Sequence, residues 1–316
     1  MSKPIVFMLI GLQGSGKSTL AKELSATYNA TILNADTIRD QNPDWDNEKV
    51  FKLLHSQMRE LVRCGKNVVL DNTNTTIKMR ATVFQNLKGI DCQIIAQVLA
   101  TPYQTCVERL KKRNQLSERQ VPLEALRRYY EGYQIPFKEE GFEDIVIVNF
   151  DSHYSFDKNI DILLSMTKFN QKNSHHKFSL AEHCLGLAQL CQDLKYNNFV
   201  IREAAEFHDI GKMFTQTFKE NDPNAHYYNH HNIGAYYMLE NYLAIDSYDG
   251  NDYNNNRENF ILDVLFYINY HMLPFFWNTD KLKEKWCKIF RQEKFDNLLL
   301  FNKYDKIASG IDSEEE

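Results

Sequence analysis

The chain has 316 residues, of which 43% are hydrophobic and 13% aromatic, and a formal net charge of −5. That length suits two domains of ~100–200 residues each, and that apolar content excludes global disorder. No apolar run approaches the ~18–20 residues of a membrane span, and the six cysteines form no C-x-x-C pair, so a membrane protein, a disulfide scaffold and a thiolate zinc site are all set aside and a cytoplasmic location is expected.

Residues 1–150 alternate strand and helix. Ile5–Ile10 is a continuous apolar run that predicts a buried strand, not a signal peptide, and a helix through Leu20, Leu24 and Tyr28 follows. Thr31–Asn34 reads as a short strand. Phe51–Cys64 reads as a helix, with Phe51, Leu54, Met58, Leu61 and Val62 at helical spacing and Gly65 as its stop. Strands are expected at Asn67–Leu70, Cys92–Leu99 and Ile145–Phe150, and helices at Tyr103–Arg113 and Leu123–Tyr133. Strands separated by helices imply an α/β domain with a parallel sheet. Residues 151–172 read as a polar linker holding one helix, Ile160–Met166. Residues 173–312 read as all helix, at Leu180–Leu194, Val200–His208, Ile233–Tyr242, Phe260–His271 and Leu298–Ala308, with no strand pattern. Asp246–Arg257 is expected as a loop and Ser313–Glu316 as a frayed acidic tail.

Charge is uneven along this plan. Residues 1–150 carry 20 basic and 17 acidic side chains, and the remainder carries 17 and 25. So small a basic excess says little by itself about a polyanionic partner, which requires a local patch.

Between the first strand and helix, Gly11-Leu12-Gln13-Gly14-Ser15-Gly16-Lys17-Ser18 fits G-x-x-x-x-G-K-[ST]. Backbone N–H groups at such a helix start cradle phosphates, and the glycines let the backbone come close. Gly11, Gly14, Ser15, Gly16, Lys17, Ser18 and Thr19 are therefore expected to bind ATP or another nucleoside triphosphate, with Lys17 at the β/γ-phosphates and Ser18 on Mg²⁺. Asp36 and Arg39 follow the second strand, at the carboxyl edge where α/β sheets bind ligands. A carboxylate there suits a general base for an attacking hydroxyl, and an arginine one turn on suits an acceptor phosphate. A capping Asp36 beside a surface arginine is the plainer alternative. Asp71-Asn72-Thr73-Asn74 follows the third strand. Arg109, Lys111, Lys112, Arg113 and Arg119 cluster around an expected lid before Val121-Pro122, either closing over ATP or forming a solvated basic face.

These elements, in order over residues 1–140, resemble the 5′-hydroxyl polynucleotide kinases that repair RNA and DNA ends. The resemblance implies a P-loop kinase domain with Asp36 as general base and Arg39 on the acceptor phosphate. It also implies Arg113 or Arg119 as the lid arginine, and Asp71 through Asn74 on the acceptor side or around the metal's water shell.

Seven of the ten histidines lie between His175 and His231. His208-Asp209-Ile210-Gly211-Lys212 ends an apolar helix, and imidazole beside carboxylate suits Mn, Fe, Co, Ni or Zn. One or two such ions would supply a water nucleophile near neutral pH and hold phosphate oxygens, with Lys212 on a non-bridging oxygen. A single His-Asp pair is common by chance. The ordered set His183, His208-Asp209, His230, His271 and Asp305 resembles the HD-domain phosphohydrolases. The stretch His176 to His183 further resembles the HD domains attached to bacterial tRNA nucleotidyltransferases, where 2′,3′-cyclic phosphodiesterase activity occurs. The resemblance implies an all-α HD-type domain with His183, His208, Asp209 and Asp305 as core ligands. His230 and His271 would hold a second metal or the scissile phosphate. His231 is the rival of His230, though Gly234-Ala235 favours His230; His176 is a weaker phosphate contact and His226 a surface residue.

Joined, the two resemblances imply a bifunctional enzyme that phosphorylates a 5′-OH and opens a 2′,3′-cyclic phosphate or removes the phosphate left behind. RNA is the expected substrate because the cyclic phosphate requires a 2′-OH, DNA being the alternative, and a ligase is the expected functional neighbour. Two other readings stand beside it: a small-molecule or nucleoside kinase fused to a nucleotide phosphohydrolase, and a nucleotide-sensing regulatory protein.

Overall fold

The computed structural model describes residues 3–116, 120–148, 157–172, 178–192, 199–242 and 257–310. The chain divides into two compact units, Met1–Tyr129 with Pro136–Ser152, and Tyr130–Ile135 with His153–Glu316. Among the described residues, no helix is long and apolar enough to cross a membrane.

The first unit runs β1 (Ile5–Ile10), α1 (Lys17–Tyr28), β2 (Thr31–Leu33), α2 (Ala35–Gln41), α3 (Asn47–Arg63), β3 (Val68–Leu70), α4 (Ile77–Leu87), β4 (Gln93–Leu99), α5 (Tyr103–Leu116), α6 (Leu123–Glu131), a 3-10 turn at Lys138–Glu140, and β5 (Asp144–Val148). The five strands form one parallel sheet in the order β2-β3-β1-β4-β5. The expected parallel α/β architecture is what the chain adopts. Every residue from Val6 to Ile10 is buried, as a central strand covered on both faces must be. The sheet order turns back beside β1, so the loop after β1 opens at a topological switch point.

Two helices escaped the sequence reading. α2 is only seven residues long, and it starts because the Asn34 side chain accepts from the Asp36 and Thr37 N–H groups at 2.7 and 3.3 Å. α4 is capped by Thr76, but its buried face carries Arg80, which breaks the apolar period. Arg80 is fully buried and makes a bidentate pair with Glu140, 2.7 Å on each arm, while also donating to the Asn74 carbonyl at 3.3 Å. Asn74 sits at φ 47° and donates its own amide to the Leu9 carbonyl at 2.8 Å. This chain of bonds fastens the Asp71–Asn74 turn to the end of β1.

The second unit runs α7 (Asp157–Lys168), α8 (Leu180–Gln192), α9 (Phe199–Phe207), α10 (Lys212–Thr215), β6 (Gln216–Phe218), β7 (Ala225–Tyr227), α11 (His230–Tyr242), α12 (Arg257–Tyr270), a 3-10 turn at Leu273–Phe276, and α13 (Asp280–Ala308). It is helical as expected, with two corrections. The first is that β6 and β7 form an antiparallel ribbon. Strands of three residues are too short to show a period of two. A second correction concerns the last helix, which begins at Asp280 and not Leu298, with a non-helical kink at Arg291 (φ 66°). Its first half is lysine-rich, and that masks the apolar stripe. Leu123–Tyr133 also ends early, at Glu131, where the chain enters the second unit. There Asn269 donates to the Tyr133 carbonyl and accepts from the Ile135 N–H, and Asn232 donates to the Glu131 carbonyl. Of the expected loop Asp246–Arg257 only Arg257 is described, as the first residue of α12, and Ser313–Glu316 lies outside the described residues.

Breaking a buried ion pair by removing one partner costs about 3–5 kcal/mol, because the remaining charge is stranded. Glu140→Ala is therefore expected to lower the unfolding free energy of the first unit by about that amount in denaturant titration, whereas Asp91→Ala, which breaks the exposed pair with Lys3, should cost under ~1 kcal/mol.

Candidate functional site

The first site is a cleft of about 450 Å³ at the carboxyl edge of the sheet. Its floor is the glycine loop. Gly14 and Gly16 take φ of 82° and 98°, and a Cβ on Gly14 would lie 2.7 Å from the Cys106 carbonyl, so no side chain fits there. Lys17 folds onto the loop and donates to the Leu12 carbonyl at 2.6 Å. Its enclosure drives its pKa down to about 8, with Asp71 pulling the other way and Arg113 reinforcing the depression.

Asp71 is buried at the end of β3 and accepts from the Ser18 hydroxyl at 2.8 Å and the Asn34 amide at 3.0 Å. The turn that follows is docked by the Gly11 N–H on the Thr73 carbonyl, and Asn72 accepts from the Ala35 N–H. Ser18 and Asp71 thus present hydroxyl and carboxylate oxygens together, a donor set that suits Mg²⁺. Asp36 lines the same cleft and pairs with Arg39 at 2.6 Å; Arg39 also donates to Asn47 at 2.9 Å and stacks over Phe51. The cap of α2 is Asn34, which leaves the Asp36 carboxylate to the cleft and to Arg39. Arg109 and Arg113 from α5 line the cleft, joined by Arg128 and Tyr129 from α6. Arg119 lies outside the described residues, as does His176. Sequence reading missed Asn34, Phe51, Arg128 and Tyr129. Asn34 had a signal, since an asparagine two and three residues before free helix N–H groups is a cap; Arg128 had none.

The second site is held by helices of the second unit. Ser179 and Glu182 cap α8 reciprocally, fixing the first turn that carries His183. His208 and Asp209 follow α9, Lys212 opens α10, His230 opens α11, His271 follows α12 and Asp305 sits on α13. All seven are buried. Gly211 is what lets the turn after Asp209 reach α11: a Cβ there would meet the His230 carbonyl at 1.9 Å.

Asp209 divides the site. Its Oδ2 lies 3.3 Å from His183 Nε2 and 3.4 Å from His208 Nε2, and its Oδ1 lies 3.1 Å from His230 Nε2 and 3.6 Å from His271 Nε2. Asp305 Oδ1 joins the first group, 3.0 Å from His183 and 3.3 Å from His208. Lys212 Nζ touches Asp209 Oδ2 at 2.6 Å. The Nδ1 atoms of His208, His230 and His271 each face the carbonyl three residues back, at 2.9, 2.8 and 2.8 Å. Nδ1 must donate there, which leaves Nε2 with a lone pair wherever the ring is neutral. His230 and His271 Nε2 approach to 3.3 Å, and two lone pairs that close repel unless a cation lies between them. His183 and His208 Nε2 lie 3.2 Å apart against the Asp209 and Asp305 carboxylates, which favour protonation of both rings. Four buried imidazoles and two carboxylates are a donor set that fits one or two divalent ions, His183, His208 and Asp209 on one side and Asp209, His230 and His271 on the other.

The electrostatics agree. Burial alone would keep His183 neutral, but hydrogen bonds to Asp209 and Asp305 lift its pKa to about 9. Burial likewise opposes ionisation of Asp209 and Asp305, and Lys212 and His208 overcome it for the first, His208 and His183 for the second, so both carboxylates are held below their usual range. The site is built around positive charge. His231 stays apart from it: burial, then the neighbouring His230 and His271, push its pKa down to about 3, and its Nδ1 has no hydrogen-bond partner. His226 is half-buried and pairs with Asp222 at 2.8 Å on the ribbon.

Residues 6–136 match the AAA domain family, and residues 180–294 match the HD domain family. A curated relative, the bifunctional polynucleotide phosphatase/kinase of Schizosaccharomyces pombe, is 29% identical over 156 residues, covering 46% of this chain and 33% of that protein. The chain thus spans about a third of the length of the curated relative it matches. Among solved structures, a chain of the Pnkp1/Rnl/Hen1 RNA repair complex is 25% identical, with a TM-score of 0.38, 41% of this chain covered and 43% of that one. A fungal RNA kinase is 16% identical, with a TM-score of 0.35, 48% of this chain covered and 77% of that one.

The two sites should exchange protons in opposite directions. Phosphates restore the charge of Lys17, so ATP binding takes up a proton between pH ~8 and ~9 and almost none below pH ~7, as calorimetry in buffers of different ionisation heat reads directly. A metal would have to displace the protons that His183 and His208 carry, so divalent-metal affinity should rise with pH through the range up to about 9, as metal titrations at several pH values would read.

Proposed function

We propose that this chain, an AAA-type kinase domain joined to an HD domain, heals RNA ends: the first unit phosphorylates a 5′-OH and the second opens a 2′,3′-cyclic phosphate and removes the phosphate that remains. The observation that carries the reading is the Asp36–Arg39 pair, set in the same cleft as the triphosphate loop. A loop alone binds nucleotide. A carboxylate and an arginine facing it provide a base for a hydroxyl and a clamp for the phosphate next to that hydroxyl. The likeness to the Schizosaccharomyces pombe bifunctional polynucleotide phosphatase/kinase favours a polynucleotide over a free nucleoside as acceptor.

In the first unit, Lys17 and the N–H groups of the loop hold the ATP phosphates. Ser18 and Asp71 would hold Mg²⁺, which neutralises phosphate charge when bound. Arg39 orients the acceptor through its phosphate, and Asp36 takes the proton of the 5′-OH as its oxygen bonds to the γ-phosphorus and ADP departs. Arg109, Arg113 and Arg128 balance the charge on the transferring group, Arg113 being the lid arginine among the described residues.

In the second unit, His183, His208, Asp209 and Asp305 would hold one divalent ion, and Asp209, His230 and His271 a second. Bound there, the ions supply Lewis acidity and an acidified water. Lys212 places its ammonium on a non-bridging phosphate oxygen and keeps the Asp209 carboxylate ionised. Water adds to phosphorus, the bond to the 2′- or 3′-oxygen breaks, and that oxygen takes the proton. Products with 5′-phosphate ends are those a ligase consumes, so functional coupling to a ligase is part of the proposal.

Each half is tested by one substitution. Asp36→Ala should cut transfer of label from ATP to a 5′-OH RNA by about 10²–10⁴-fold and leave hydrolysis of a 2′,3′-cyclic-phosphate RNA with Mn²⁺, Ni²⁺ or Co²⁺ unchanged. Asp209→Ala should do the reverse. Unchanged transfer by the Asp36 variant would remove the kinase assignment.

A further inference from the structure

We propose that the β6–β7 ribbon beside the histidine centre is a nucleobase platform, on which Phe218 stacks a base of single-stranded RNA while Lys172 holds the adjoining phosphate. The proposal rests on the reading of the second unit as an RNA phosphoesterase.

The ribbon is bonded to the centre, not merely near it. The Tyr227 carbonyl accepts from His230 Nδ1 at 2.8 Å, and the Lys212 ammonium lies 5.6 Å from the Tyr227 ring. The Tyr227 hydroxyl donates to the Gln171 carbonyl and accepts from the Gln216 amide at 2.9 Å. The segment 170–172 is fastened along the ribbon in turn: the Ala225 N–H donates to the Lys172 carbonyl at 2.8 Å, and the Gln216 amide to the Asn170 carbonyl at 3.0 Å. Lys172 is therefore fixed by its backbone while its side chain remains exposed.

Register then places the ring. Gln216 pairs with Tyr227 and Phe218 with Ala225, so Phe218 and Tyr227 leave the same face of the ribbon, one strand repeat apart, on the order of 7 Å. That is about the spacing of successive nucleotides along an extended strand, so a strand laid along this face with its phosphate at the Tyr227 end would bring its next base to Phe218. Phe218 is 52% exposed, and the Lys172 ammonium stands 5.8 Å from its ring. An exposed phenylalanine on a two-stranded ribbon contributes nothing to a core. A π face for any base with a cation for its phosphate is the combination that binds single strands without regard to sequence. Residues 151–316 are acidic on balance, which makes a lysine held beside the aromatic ring the more pointed.

The ribbon carries its own control. Tyr228 is 56% exposed with the Lys219 ammonium 5.7 Å from its ring, but it stacks on His226, whose side chain leaves the opposite face.

The test compares a nucleoside 2′,3′-cyclic monophosphate with a short RNA ending in a 2′,3′-cyclic phosphate, both given to the full chain with Mn²⁺. Phe218→Ala should lower kcat/KM on the RNA by about tenfold, through KM, and leave the mononucleotide untouched. Phe218→Trp should retain the wild-type preference, and Tyr228→Ala should change neither substrate. Unaltered mononucleotide turnover shows that the variant is folded. Equal losses on both substrates, no loss on the RNA, or the same loss from Tyr228→Ala would overturn the platform while leaving the phosphoesterase reading intact. A wild-type chain inert toward both substrates would remove that reading and the platform with it.

Discussion

Two oxygens of one carboxylate organise the second half of this protein. Asp209 gives Oδ2 to His183 and His208 and Oδ1 to His230 and His271, so four helices must converge on a single buried side chain. Such a cluster is unstable as a set of neutral groups. Each imidazole has its Nδ1 proton committed to a carbonyl or its ring buried, and each Nε2 points at another nitrogen or at a carboxylate. The geometry makes sense as a cage for positive charge. Lys212 supplies part of that charge from outside the cage, and divalent ions would supply the rest.

The first unit meets the same problem from the other side. There the cation is the protein's own: Lys17 donates to a neutral backbone carbonyl, and burial lowers its pKa to about 8. A triphosphate provides what is missing. One site is thus poised for anionic oxygens through an under-compensated lysine, and the other through ions held on carboxylates. In the proposed function both arrangements would hold phosphate oxygens, which is how opposite phosphate chemistries could share one chain.

How much of this was legible depended on distance along the chain. The glycine loop is contiguous, and its flanking strand and helix are written in an apolar run and a helical period, so the parallel α/β fold could be read directly. The candidate metal ligands are spread from His183 to Asp305. From the residues alone only His208-Asp209 stood out, and the others entered through resemblance to a family. The bonds that aim the side chains were not readable. Ser18 and Asp71 are 53 positions apart, and Arg80 and Glu140 are 60 apart. Nothing local in Arg80 distinguishes a buried clamp from a surface cation. The ribbon was lost for a different reason, because its strands hold three residues each and its stability comes from Gln171, Lys172 and Tyr227 across the turn. Leu123–Tyr133 read as one helix, but α6 stops at Glu131, and the Glu131 and Tyr133 carbonyls are taken by the Asn232 and Asn269 amides.

In the proposed function both units act on one broken RNA. The measurement that addresses it most directly is the intact mass of a single RNA bearing a 5′-OH and a 2′,3′-cyclic phosphate, taken after incubation with the full chain, ATP, Mg²⁺ and Mn²⁺. The strand should first gain one phosphoryl group at its 5′ end and one water at its cyclic end, and then lose the phosphate that the opening leaves. An RNA returned unchanged at both ends, while the same protein phosphorylates free nucleosides or hydrolyses free nucleotides, would contradict it.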